Sequence, residues 1–180
     1  MSYYGSSKYS SSEEGEYQLE LIEHELERND EGFVNVYTEC VCPGDGTEYA
    51  KAAIGVWFMD NHELNVSRRL YENPCYNRAA FKSITIACRQ ARKANVRKLK
   101  INLTSAFLKN CIETLIPKWR SNGWKNSIGE TLAQKQEILE MQDALDEFEK
   151  IDWIFHNNYK FDGMNGALNL AKNAADSESD

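Results

Sequence analysis

A chain of 180 residues suits one domain with tails, and 42% hydrophobic with 11% aromatic residues is enough for a real core. No run of about 18 apolar residues occurs, so the sequence predicts no membrane-spanning helix. The net charge of −7 is an uneven average: residues 1–31 hold nine acids against two bases, residues 176–180 three acids, and residues 32–175 sixteen acids against nineteen bases, a net of +3 that falls well short of a committed nucleic-acid binder.

Residues 1–15 are rich in Ser and Tyr and poor in apolar residues, which predicts disorder; the first twelve lack the apolar core of a secretory signal. In residues 16–29, Leu19, Ile22 and Leu26 recur at helical spacing. Either this is a short acidic amphipathic helix that docks on a partner or on the domain's own basic face, or it is a frayed, solvated segment. The first firm element is residues 33–42, FVNVYTECVC, a strand dense in aromatic and β-branched residues that ends at the turn Cys42-Pro43-Gly44-Asp45-Gly46. A strand this apolar belongs in the middle of a sheet. Glu39 lies in its centre, and a buried, unpaired carboxylate is costly, so it calls for a metal, a partner or an open cleft.

Residues 50–59 and 63–70 complete an antiparallel meander around the turn Asp60-Asn61-His62, where His62 is a plain turn residue. After Asn73-Pro74, residues 77–94 predict a helix with Phe81, Ile84, Cys88 and Ala91 on one stripe and Lys82, Arg89, Arg92 and Lys93 on the polar face. Residues 99–103 predict a strand parallel to the first, because a helix precedes it. Residues 105–115 are helical; residues 116–129 carry two tryptophans and three bases; residues 132–148 are helical; residues 151–155 are a strand and residues 164–175 a last helix. The order β-β-β-α-β-α-α-β-α predicts an α/β fold, a mixed sheet with helices on its faces. The five cysteines are an odd number set inside apolar segments, which reads as reduced thiols in the nucleus or cytoplasm. Cys40 and Cys42 have no second pair beside them to complete a tetrahedral zinc site, so no metal is expected there.

This order and its punctuation resemble type 1 ribonuclease H from about Phe33 to Ala175. The likeness is carried by Val36-Tyr37-Thr38-Glu39, where the family's first strand ends in Thr-Asp-Gly; by Ala53-Ile54-Gly55-Val56-Trp57 and Leu64-Asn65-Val66 with Arg69-Leu70; by Asn77-Arg78-Ala79-Ala80, against Asn/Gln-Arg-Ala-Glu; by Leu103-Thr104-Ser105, against Thr-Asp-Ser; by the Trp-rich segment from Lys118 to Gly129; and by Asp152-Trp153 and Ala167-Leu168-Asn169-Leu170-Ala171. The resemblance implies a ribonuclease H-like, five-stranded mixed sheet flanked by helices on both faces. The chain then divides into a disordered acidic tail (1–31), which includes the segment read either as a short helix or as frayed, the ribonuclease H-like domain (32–175) and an acidic tail (176–180).

The family cleaves the RNA strand of an RNA–DNA hybrid with two magnesium ions held by four carboxylates. Those four positions read Glu39, Ala80, Thr104 and Leu168. One acid remains, so the resemblance implies a degenerate site with no catalytic residue and no cofactor. The family's loop histidine falls within residues 157–162, with Tyr159 nearest and His156 just upstream. Its phosphate-pocket and RNA-contact positions read Asn73, Cys75, Tyr76, Asn77 and Gln134, and Leu115 replaces a tryptophan. Lys118, Trp119, Arg120, Trp124 and Lys125 are kept; they either stack on nucleic acid or are core aromatics with basic neighbours. Three functions follow from this. The favoured one is a pseudoenzyme that scaffolds proteins of RNA metabolism. Ala80 and Leu168 would make its former active-site face apolar, and that face or the N-terminal acidic helix would meet the partner. The second is a non-cleaving binder of RNA–DNA hybrid or double-stranded RNA. The third is a nuclease with a site rebuilt from Glu39, Asp45, Glu48 and Asp162. No membrane partner is expected.

Overall fold

A computed structural model describes residues 26–178. The meander is β1 (Phe33–Val41), β2 (Ala53–Trp57) and β3 (Val66–Arg69). Helix α1 (Tyr76–Lys93) crosses to β4 (Lys98–Leu103). Two short helices, α2 (Ala106–Asn110) and α3 (Ile116–Ser121), are joined by a π-helical turn, Cys111–Leu115. Then come α4 (Lys135–Asp146), β5 (Lys150–Phe155) and α5 (Asp162–Asp176). The strands lie in the order β3-β2-β1-β4-β5, so β1 is central. It pairs antiparallel with β2 and parallel with β4, as the sequence predicts.

The two faces of β1 are covered differently. Val34, Val36 and Cys40 join Ile54 and Val56 in the main core, with Phe81, Ile84 and Cys88 of α1 and Ile138 and Met141 of α4. Helix α5 covers the other face of β1, β2 and β3. It approaches so closely that only glycine fits beneath it. A Cβ on Gly55 would lie 1.9 Å from the carbonyl oxygen of Ala167 and 2.7 Å from the amide nitrogen of Ala171. Gly163 rests against the ring of Tyr37, and Gly166 against the indole of Trp57.

Several boundaries move for local reasons. The second strand is shorter than residues 50–59 because its ends serve turns: Lys51 N–H donates to Pro43 O, and the Asn65 side chain accepts from Phe58 N–H and donates to Met59 O. The third strand starts late because His62 is no plain turn residue. It is buried, and its Nδ1 accepts from Leu64 N–H. Helix α4 begins at Lys135, since Lys125 and Thr131 form a bridge and Leu132 N–H donates to Trp124 O.

Residues 26–31, assigned to the tail by sequence, are ordered: Leu26 is buried, and the Asn29 side chain accepts from Glu31 and Phe33 N–H. They are not helical; the rest of the expected N-terminal helix, residues 16–25, lies outside the described residues. At the other end, Ser177 is held by Arg69 and by Ala174. All five cysteines are free thiols. Among the described residues no helix is long and apolar enough to cross a membrane.

Gly55→Ala must push β2 and α5 apart, because the obstructing atoms are backbone. Urea unfolding should show a midpoint corresponding to a loss of about 3 kcal/mol with an unchanged slope; an unchanged midpoint would show that the contact yields.

Candidate functional site

Alternation along β1 places Asn35, Tyr37 and Glu39 on the face that α5 covers. Glu39 pairs in register with Gly55, and Tyr37 with Asn102 of β4. Two residues beyond Asn102, past the end of β4, comes Thr104. The loop after β5 supplies Tyr159. The three side chains meet: Thr104 Oγ1 lies 2.9 and 3.0 Å from the two Glu39 oxygens, Tyr159 OH donates to Glu39 Oε2 at 2.7 Å, and the two hydroxyls are 3.2 Å apart.

Glu39 is only 6% exposed. Burial raises its pKa, and the hydrogen bonds from Tyr159 and Thr104 offset part of that rise. Burial likewise raises the Tyr159 phenol. The neighbouring Cys40 thiol is pushed up to about 12, by burial first and the Glu39 charge second, so it is no nucleophile at neutral pH. Tyr76, whose hydroxyl meets Ser105 at 3.0 Å, is also pushed up to about 12 by burial.

The other expected positions fall elsewhere. Ala80 is fully buried in the main core, so it adds nothing to an exposed apolar face; its carbonyl accepts from Ser83. Leu168 is half-buried on α5. His156 does not reach Glu39. Its Nε2 lies 2.8 Å from Asn102 Oδ1, and its ring stacks on Tyr37 and leans on Phe161. Burial lowers its pKa. The acids weighed for a rebuilt site stay apart: Asp45 accepts from Tyr76 N–H at the start of α1, Glu48 is exposed in a turn, and Asp162 opens α5. Among the described residues, no group of three or more His, Cys, Asp or Glu could hold a metal ion.

Trp119 and Trp124 are half-buried and pack against the main core, while Lys118, Arg120 and Lys125 are exposed. Gly123 and Trp124 both have positive φ (75° and 65°), and Trp124 N–H donates to Trp119 O at 2.7 Å, closing the end of α3. Cys75 caps α1 through its sulfur, and Leu115 lies in the π-helical turn. Sequence reasoning missed Asn102, which is buried and donates from Nδ2 to Asn35 Oδ1 and Val36 O. Its signal was a single amide inside the apolar strand KINL, which had to find partners.

No family model matches this chain. A ribonuclease H of Acetivibrio thermocellus is 30% identical to it over 124 residues, 67% of this chain and 79% of that protein. The chain belongs to the ribonuclease H family. Ribonuclease H1 of Mus musculus is 32% identical over 148 residues, 82% of this chain and 52% of the relative, so the chain spans about half the length of the mammalian relatives it matches. Among solved structures, a type 1 RNase H with the type 2 active-site motif superposes with a TM-score of 0.62 at 21% identity, over 80% of this chain and 72% of that one. This likeness supports the five-stranded ribonuclease H fold.

The magnesium pair of the ribonuclease H family does not fit the residues found here. Magnesium takes near-octahedral oxygen donors, usually carboxylates and substrate phosphate. The oxygen groups gathered here are the Glu39 carboxylate and two neutral hydroxyls, and both carboxylate oxygens already accept hydrogen bonds. Ala80 and Leu168 offer no donor atoms.

A carboxyl whose folded pKa lies above its unfolded value binds protons on folding, so stability falls as pH rises from the unfolded value through the folded one. Glu39→Gln should therefore resist urea better than the parent at pH 7, with a smaller difference at pH 4; equal gains at both pH values would contradict a buried carboxylate cost. Tyr159→Phe removes a donor to that carboxylate and should cost about 1.5 kcal/mol at pH 7.

Proposed function

We propose that this chain is a catalytically inactive ribonuclease H-like domain that serves as a protein-interaction module, in a complex of RNA metabolism. The observation that carries this is the closure of Glu39 by the hydroxyls of Thr104 and Tyr159. Two metals in close proximity need shared carboxylates to offset their mutual repulsion, and one buried carboxyl biased toward its protonated form is a poor start. The relatives are named as ribonucleases, so loss of cleavage is the step to test.

A second reading, a non-cleaving binder of RNA–DNA hybrid or double-stranded RNA, draws on the exposed Lys118, Arg120 and Lys125 around half-buried Trp119 and Trp124. Against it stands the net charge of only +3 over residues 32–175.

One titration separates the readings: a short RNA–DNA hybrid with the purified chain in magnesium, at about 50 and 200 mM salt. The pseudoenzyme reading expects no cleavage. Cleavage that tracks protein and disappears in Glu39→Gln overturns it. A shift without cleavage that weakens with salt supports the binder, and Lys118→Glu with Lys125→Glu should then abolish retention while leaving the melting temperature nearly unchanged.

A further inference from the structure

Beside the start of α5 lies a cavity of about 470 Å³. The residues that line it include the aromatic Tyr37, Trp57 and Phe161 and the acidic Glu27, Asp60 and Asp162. Among the described residues no lysine or arginine lines it. None of the three acids forms an ion pair with a described residue. Glu39, Thr104 and Tyr159 take no part in it.

We propose that this cavity binds the guanidinium of an arginine in a peptide segment of a protein partner. The proposal rests on the interaction reading above and names the partner's chemistry. Size comes first: a few hundred cubic ångströms is the range of a specific ligand site and admits a whole side chain with adjoining backbone. Shape comes second. Tyr37 and Trp57 meet edge to face, with centroids 5.6 Å apart and planes at 77°, so the two rings form a corner in the cavity wall. Both rings are backed by glycines of α5, where a Cβ would sit 2.4 Å from the Tyr37 ring and 2.5 Å from that of Trp57. The helix therefore fixes the rings in place before any ligand arrives, which lowers the cost of binding. Phe161 is 53% exposed and leans on His156, with centroids 4.8 Å apart, an aromatic group left at the mouth.

Charge comes third. Aromatic faces attract cations, and the attraction strengthens out of water. Carboxylates at the same opening with no ion-pair partner among the described residues repel phosphate and acidic peptides and attract bases. A guanidinium uses both features at once. It is planar, stacks on rings, is weakly hydrated, and presents a fork of donors that matches a carboxylate; an ammonium is a compact, strongly hydrated point charge. The positive end of the α5 dipole would favour an anion, but Asp162 already occupies its first turn.

The test uses the full chain and a blocked Gly-Gly-Arg-Gly-Gly peptide, followed through the indole N–H of Trp57 in ¹H–¹⁵N spectra. A saturable shift of that signal is expected. The citrulline peptide, alike in shape but uncharged, and the lysine peptide should each bind roughly tenfold more weakly. Asp60→Asn with Asp162→Asn should weaken arginine binding to a similar extent, and Phe161→Ala, a truncation at an exposed position, should weaken it with the fold intact. No saturable shift, equal binding of citrulline or lysine, or indifference to both variants would overturn the proposal. It fails separately from the reading it rests on: cleavage of hybrid overturns inactivity and leaves this titration unchanged, whereas absent peptide binding leaves the cleavage result unchanged.

Discussion

A carboxylate in the middle of a central strand has to be stabilised by something, and the surroundings of Glu39 follow from that requirement. Water is excluded by α5, whose backbone packs on Gly55 directly opposite Glu39 in the register. No described base pairs with the carboxylate, so neutral donors do the work. Thr104 arrives from the end of β4 because parallel pairing carries it there, and Tyr159 arrives from the loop ahead of α5. Two hydroxyls hold a carboxyl group in place without fully offsetting the loss of water, which is why its pKa stays raised. The loop that brings Tyr159 is fixed on both sides, by His156 on Asn102 and by Asn165 donating to the Tyr159 carbonyl.

The close approach of α5 has consequences beyond Glu39. Glycines at 55, 163 and 166 let helix and sheet meet backbone to backbone and ring to backbone. The same contact that seals Glu39 presses against Tyr37 and Trp57, leaving those rings as walls of the cavity at the helix start. On the opposite face of the sheet the packing is ordinary, with apolar side chains of α1 and α4 interleaved with those of β1 and β2. Ala80 belongs to that side, and there a small apolar residue is simply part of the core.

The fold was largely legible in the residues. The dense strand around Glu39, the helical stripe of Phe81, Ile84 and Cys88, and the turn residues between them have periods that depend on local geometry alone. Ends were less legible, because they depend on partners distant in sequence: Asn65 holding Phe58 and Met59, or Trp124 receiving Leu132. Leu26 illustrates the same limit. Its apolar spacing suggested a helix, yet it joins the core from an irregular segment.

By itself the sequence determined the order of elements, the central place of β1, and the presence of a lone acid, Glu39, within that strand. These follow from residue type and spacing. Only the tertiary structure decided that Tyr159 rather than His156 reaches Glu39, that Asn102 ties His156 to the sheet, and that three acidic and three aromatic residues line one cavity beside α5. Each of those arrangements joins residues from elements that pairing and helix packing bring together, and side-chain distances of a few ångströms across such joins are set by the packed backbone, which no local pattern encodes.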